Sequence, residues 1–165
     1  MLKQRISSDT LSAAKNKEET TLSVLRMLSA AILSKEKEKR YKMAKANPSM
    51  AEKELEEKSA LADEEISETV SSEVKKRKES ILAFGKGNRP ELAEKEKKEL
   101  EILMKYLPQQ LSEEELRKMV KSAIDKVGAK EMKDMGKVMA ELMPKVKGKA
   151  DGGEISKIAK ELMGK

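Results

Sequence analysis

Histidine, cysteine and tryptophan are absent from this 165-residue chain, and its aromatics are only Tyr41, Phe84 and Tyr106. Without the first two there is no Ser-His-Asp triad, no thiolate nucleophile, no disulfide and no His/Cys zinc site. Carboxylates, Lys, Tyr and Ser/Thr are all that remain for acid–base or nucleophilic work. The shortage of aromatics argues against a β-sandwich or barrel. No stretch approaches the roughly 20 apolar residues of a membrane span. Met1-Leu2-Lys3-Gln4-Arg5 also lacks the apolar region of a signal peptide. A soluble, cytoplasmic protein with no membrane partner is expected. What is plentiful is helix-forming: Ala, Leu, Glu and Lys, together with 11 Met. An all-α fold follows.

Charged residues make up 40% of the chain, yet 36 Lys+Arg against 30 Asp+Glu leave a net charge of only +6. Near-balance of this kind usually marks solvated helix faces carrying i,i+4 pairs. The distribution is uneven. Residues 35–45 hold six basic side chains against Glu36 and Glu38, a local +4. Residues 74–89 hold six against Glu79, a local +5, whereas residues 50–73 hold nine acids and two Lys, a local −7. Neighbouring helices with complementary faces explain this pattern, and so does a basic surface for nucleic-acid phosphates.

Along the chain, a short helix is expected over residues 3–15 with Ile6, Leu11 and Ala14 inward. A long one follows over 18–46 with Leu22, Leu25, Met27/Leu28 and Ile32 as its buried stripe. Beyond Leu33 the apolar pattern fades, so that end is expected to project into solvent until Asn47-Pro48 breaks it. Ser49 and Glu52 have capping-box spacing, and Asp63 is a second candidate cap. Ile66, Val70, Val74 and Ile81 mark a third helix to about Phe84. Pro90 opens a fourth carrying Leu92, Leu100, Leu103 and Leu107. Pro108-Gln109-Gln110 reads as a hinge between an N-terminal helical domain, 1–107, and a small three-helix domain, 111–165. In the latter, Ser112/Glu115 and Asp151/Glu154 are further capping boxes and Gly128 a helix stop. A helix over 131–143 with Met132, Met135, Met139 and Leu142 inward is followed by a loop, 144–150, and by a last helix with Ile155, Ile158, Ala159 and Leu162 inward.

Two segments carry a recognisable pattern: Glu99-Leu-Glu-Ile-Leu-Met-Lys-Tyr-Leu-Pro-Gln-Gln-Leu-Ser-Glu-Glu-Glu-Leu116, and Met132-Lys-Asp-Met-Gly-Lys-Val-Met-Ala-Glu-Leu-Met-Pro-Lys-Val-Lys-Gly-Lys-Ala-Asp151. With Leu22-Ser-Val-Leu-Arg-Met-Leu28 and Glu73-Val-Lys-Lys-Arg-Lys-Glu-Ser80, they resemble the GatB/YqeY family in its stand-alone YqeY form. The resemblance implies an N-terminal helical domain and a C-terminal domain similar to the tail of the B subunit of glutamine-dependent tRNA amidotransferases. In those enzymes the tail engages the body of tRNA while other domains carry kinase and amidase chemistry. The label of a carbon–nitrogen ligase with glutamine as amido donor would attach to this chain through that tail alone. No Gly-rich phosphate loop or amidase Ser-Ser-Lys arrangement is present, so no catalysis is expected of this chain by itself. Two departures stand out. Glu131 occupies a position where Ser is common, and the connection over 47–62 is longer than the pattern suggests.

The resemblance points to tRNA as a partner, or to a protein of a tRNA-dependent amidation or translation pathway. The alternative is a protein–protein adaptor with no RNA role. The candidate RNA contacts are Lys137, Lys145, Lys147 and Lys149, with Gly136, Gly148, Gly152 and Gly153, where small residues would let a phosphate backbone approach the main chain. Lys75, Lys76, Arg77 and Lys78 form a secondary basic surface. Packing and turn roles for the glycines, and a capping role for Asp151, stand beside that reading. No aromatic lies beyond Leu111, so contacts there would read shape and phosphates rather than bases. Acidic groups such as Glu64/Glu65/Glu68 and Glu113/Glu114/Glu115 suit helix starts through the helix dipole. No metal or cofactor site is expected.

Overall fold

The computed structural model describes residues 1–129 and 131–164. They form eight α-helices and one turn of 3-10 helix, with no strand among the described residues. The fold is all-α. The chain divides into two compact units, Met1–Tyr106 and Leu107–Lys165.

The first unit holds α1 (Leu2–Lys15), α2 (Glu19–Ala46), α3 (Glu52–Ser59), α4 (Asp63–Lys86) and α5 (Pro90–Met104). Its core gathers Ile6 and Ala13 from α1, Val24, Leu25, Leu28 and Ile32 from α2, Leu55 from α3, and Ile66, Val70 and Val74 from α4. Ala93 and Leu103 from α5, and Tyr106, complete it. Ile6 and Ala13 are two turns apart and share a stripe. Leu11, five residues from Ile6, falls on the far side, and both it and Ala14 are exposed. Met27 and Leu92 are likewise exposed, the buried positions being their neighbours Leu28 and Ala93.

The far end of α2 is not left in solvent, contrary to the fading apolar pattern. Helix α3 packs against it and buries Leu55. Arg40 pairs with Glu52, and Lys39 Nζ lies 2.8 Å from Glu65. The two expected caps are reassigned. Ala51, not Ser49, precedes α3, and Glu52 is drawn to Arg40. Asp63 is the first residue of α4, yet its carboxylate accepts the Leu2 N–H at 2.9 Å and the Met1 ammonium at 3.0 Å, so it caps α1. The Leu2 bond first, and the ammonium second, hold its carboxyl below the ordinary range. Helix α4 runs through Gly85 to Lys86, and Pro90 opens α5 as its missing N–H favours.

Charge also enters the interior of this unit. Arg77 on α4 lies 3.1 Å from Glu96 and 2.9 Å from Glu99, both on α5, with all three side chains 15% exposed or less. At the end of α5, the Tyr106 hydroxyl donates to Asp9 at 2.7 Å while the Arg5 guanidinium sits 5.2 Å from the ring centre. Burial, and then the bond to the Asp9 carboxylate, push the phenol well above its usual range.

The second unit holds α6 (Glu113–Val127), a 3-10 turn (Met132–Asp134), α7 (Met135–Val146) and α8 (Gly152–Met163). Its core is wholly apolar: Leu116, Val120 and Ala123 of α6, Val138, Leu142 and Val146 of α7, and Ile155, Ile158 and Ala159 of α8. Met135 and Met139 pack at its margin, whereas Met132 lies outside at 48% exposure. Ser112 and Glu115 make the reciprocal capping box that their spacing predicts, and Gly128 closes α6 in the left-handed region at φ +63°. No described helix is long and apolar enough to cross a membrane.

Candidate functional site

The lysine-bearing segment after α7 is shorter as a loop than the sequence suggests. Pro144 does not end the helix. It sits in the last turn of α7, and Lys145 is helical too. Val146, 1% exposed, completes the stripe begun by Val138 and Leu142, and its burial holds that turn in place despite the amide that proline lacks. The loop proper runs from Lys147 to Asp151 and is tightly held. Lys149 and Ala150 N–H both donate to the Val146 carbonyl, at 2.8 and 3.2 Å. Leu111 N–H donates to the Lys149 carbonyl at 2.9 Å, and the Gln110 side-chain amide to the Gly148 carbonyl at 2.8 Å. Gly148 turns the chain at φ +73°, a conformation that other residues adopt only with strain. The exposed lysines of this loop thus stand on a fixed backbone.

The candidate cations differ in how they are engaged. Lys137 lies 2.8 Å from Asp134, one turn earlier. Lys145 shares the Glu141 carboxylate with Lys126 of α6, which approaches it to 2.6 Å. Hydrogen bonds from Lys126 and then Lys145 depress the Glu141 carboxyl to about 2. Asp134 at the end of the 3-10 turn and Lys137, Glu141 and Lys145 of α7 follow at spacings of three and four and form one ladder of alternating sign. Lys149 is exposed, as is Lys147, which has a partner of its own. Lys126 and Glu141 belong to this cluster although neither figured among the sequence candidates. The four-residue spacing of Lys137, Glu141 and Lys145 carries half of that signal, and the contribution from α6 is visible only in the packing.

The glycines separate cleanly. At Gly136 and Gly152 an added Cβ would meet nothing within 4 Å, so close helix packing does not explain Gly136. At Gly153 it would lie 2.8 Å from the Asp151 carboxylate, which accepts the Gly153 and Glu154 N–H groups at 2.7 and 3.3 Å. Asp151 is therefore the cap of α8. It fills with its own carboxylate part of the amide cradle that a phosphate would use. The secondary basic surface also splits. Lys75 and Lys78 are exposed and Lys76 pairs with Glu73 at 2.6 Å, but Arg77 points inward to Glu96 and Glu99 and is not part of that surface. Among the described residues no group of three or more acidic side chains is placed to hold a metal ion.

No curated protein matches the chain. The family model described as Yqey-like protein matches residues 34–163, from the middle of α2 to the end of α8. The cluster around Glu141, the pinned lysine loop and the capped start of α8 all lie within the matched span. By that match the chain belongs to the Yqey-like protein family.

Proposed function

We propose that this protein is a binding module without chemistry of its own, whose second unit engages the phosphates of tRNA or of a tRNA-dependent amidation complex. The observation that carries this reading is the rigid presentation of Lys145, Lys147 and Lys149 around the α7–α8 loop, with Lys126 and Lys137 beside them. Ammonium groups on a fixed backbone favour phosphate without sequence preference, and the absence of aromatics in this unit fits contact with a folded RNA surface. The resemblance of this unit to the amidotransferase tail supports tRNA as the polyanion. The Lys137 side chain is 70% exposed, so its pairing with Asp134 leaves the ammonium accessible to a phosphate.

The test is tRNA binding across a salt series. Replacing Lys145, Lys147 and Lys149 by Glu is expected to abolish binding at moderate salt and to lower the salt slope by roughly 2 to 3, at about 0.9 for each phosphate no longer neutralised. Wild-type protein that binds tRNA no better than a control protein of equal charge would sink the proposal.

One observation favours the adaptor reading as the second. Between α6 and α8 lies a hollow of about 200 Å³ lined by Leu111, Leu116 and Ile158 together with Glu113, Glu154 and Glu161 and the cations Arg117 and Lys157, the first of which pairs with Glu113 and Glu161. It has room for one apolar side chain from a protein partner. A stoichiometric protein partner that survives nuclease treatment, and is lost on Lys157→Glu, whose exposed side chain lines the hollow outside the core, would establish that reading instead.

A further inference from the structure

The basic segment 35–45 resolves into two faces of α2. Lys35 and Lys42 are held by Glu38, at 3.5 and 2.7 Å, Lys39 by Glu65 and Arg40 by Glu52. These four are committed to acids on α2 itself or on the neighbouring α3 and α4. Lys37 and Lys45 are different. Both are exposed, and neither has a carboxylate partner among the described residues. They stand four residues before and four residues after Tyr41, so the three form one stripe along the helix. Tyr41 is 69% exposed, whereas Tyr106 is 5% exposed and Phe84 half-buried. Leu33, 51% exposed, lies one turn further back on the same side. The nearby acids do not neutralise this stripe: Glu36 is turned to Lys3 at 2.6 Å and Glu38 to its two lysines.

From this juxtaposition we infer that the outer face of α2 is a docking surface for an unpaired stretch of RNA, with a base stacked on Tyr41 and flanking phosphates held by Lys37 and Lys45. A rise of about 1.5 Å per residue puts each lysine about 6 Å along the axis from the tyrosine, within reach of the phosphates on either side of a stacked base. Each kind of contact has a physical reason: the phenol ring offers a flat apolar surface that any base can cover, and the unpaired ammonium groups release counterions when they meet phosphates. Solvation alone accounts for unpaired lysines on a helix, but it gives no reason to place the one exposed aromatic between them. The surface itself is independent of the second unit. The choice of RNA as the polyanion rests on the tRNA reading above.

The experiment uses the full chain and a short, labelled, unstructured oligoribonucleotide, too small to present the body of a tRNA. Inorganic polyphosphate serves as a polyanion without bases. The wild type is expected to bind the oligonucleotide, and Tyr41→Ala to weaken that binding roughly fivefold or more, while Tyr41→Phe keeps it. Polyphosphate binding should fall with Lys37→Glu and Lys45→Glu but not with Tyr41→Ala. Circular dichroism should show all variants equally helical, since the three side chains are exposed. If Tyr41→Ala binds the oligonucleotide as the wild type does, or a deoxyribonucleotide of the same sequence binds more tightly, the inference is overturned. Because the probe excludes the tRNA body, this result and that of the loop-lysine experiment are separable.

Discussion

The two units carry the same net charge and use it in different ways. Residues 1–106 hold 23 basic and 20 acidic side chains and residues 107–165 hold 13 and 10, a net +3 in each. In the first unit the charges tie helices together and reach the interior, as in Arg77 between Glu96 and Glu99 or Lys39 against Glu65. In the second the nine buried residues are all apolar and the ion pairs lie outside that core, three of them within one helix and two joining α6 to α7 and α8. Charge built into an interior specifies how helices register but is costly to disturb, whereas charge on a surface is free to be exchanged for a ligand. The contrast assigns architecture to the ion pairs of the first unit and availability to those of the second.

The largest effect should come from disturbing the interior pair. Arg77→Met strands Glu96 and Glu99 at the α4–α5 contact, and stability should fall by about 3–5 kcal/mol. Changing Glu96 and Glu99 to Gln in the same variant removes the stranded charges and should restore part of the loss, which chemical denaturation measures. No recovery would show that packing, not charge, holds the site. Next in size is Leu142→Ala, which hollows the apolar core of the second unit at an expected cost of about 2–5 kcal/mol. Here the loss should not vary with pH, because no buried ionisable group is touched, and a pH-dependent loss would break the contrast between the units.

Legibility follows the same division. Periodicity is enough for the existence of every α-helix except α3, which lies in the stretch 47–62 read as a connection. Local signals with one residue type in each role suffice as well: Pro90 at a helix start, Ser112 with Glu115, Gly128 at a helix end. Sequence reasoning fails where a residue's partner lies far along the chain. Asp63 has the composition of a cap for its own helix but is claimed by the Leu2 amide, 61 residues away. Arg77 reads as one more basic residue between Lys76 and Lys78 because nothing local announces Glu96 and Glu99. On α7 the large Met residues suggest the core stripe, while the smaller Val138 and Val146 occupy it. Of the candidate site, the lysine positions are legible, but not which of them are already paired.

A local cap permits a third, smaller test. Asp151→Ala removes two amide bonds at the start of α8 and should cost about 1 kcal/mol. Gly153→Ala should cost a similar amount by driving a Cβ into the same carboxylate. Because both act through one cap, their combination should cost less than the sum, and full additivity in thermal unfolding would show that the glycine matters for another reason.

The smallest effect on stability, and the most telling about function, belongs to Glu141. It is fully charged at neutral pH, and its pairing with Lys126 and Lys145 lowers its titration to about 2. The folded value lies below the ordinary one of 4.5, so whatever stability the pairing gives is complete above that pH and disappears as pH falls toward 2. Carbon-detected NMR should follow that low midpoint directly, and replacing both lysines by Met should return it toward the ordinary value. At neutral pH, Glu141→Gln should barely change stability, since the carboxylate is only part-buried, both its lysines are exposed and the attraction is screened. It frees two ammonium groups, however, and under the tRNA reading both affinity for tRNA and its salt slope should rise. Unchanged affinity with reduced stability would place Glu141 with the architectural pairs of the first unit, and the distinction between the two units would no longer hold at the site where it bears most on function.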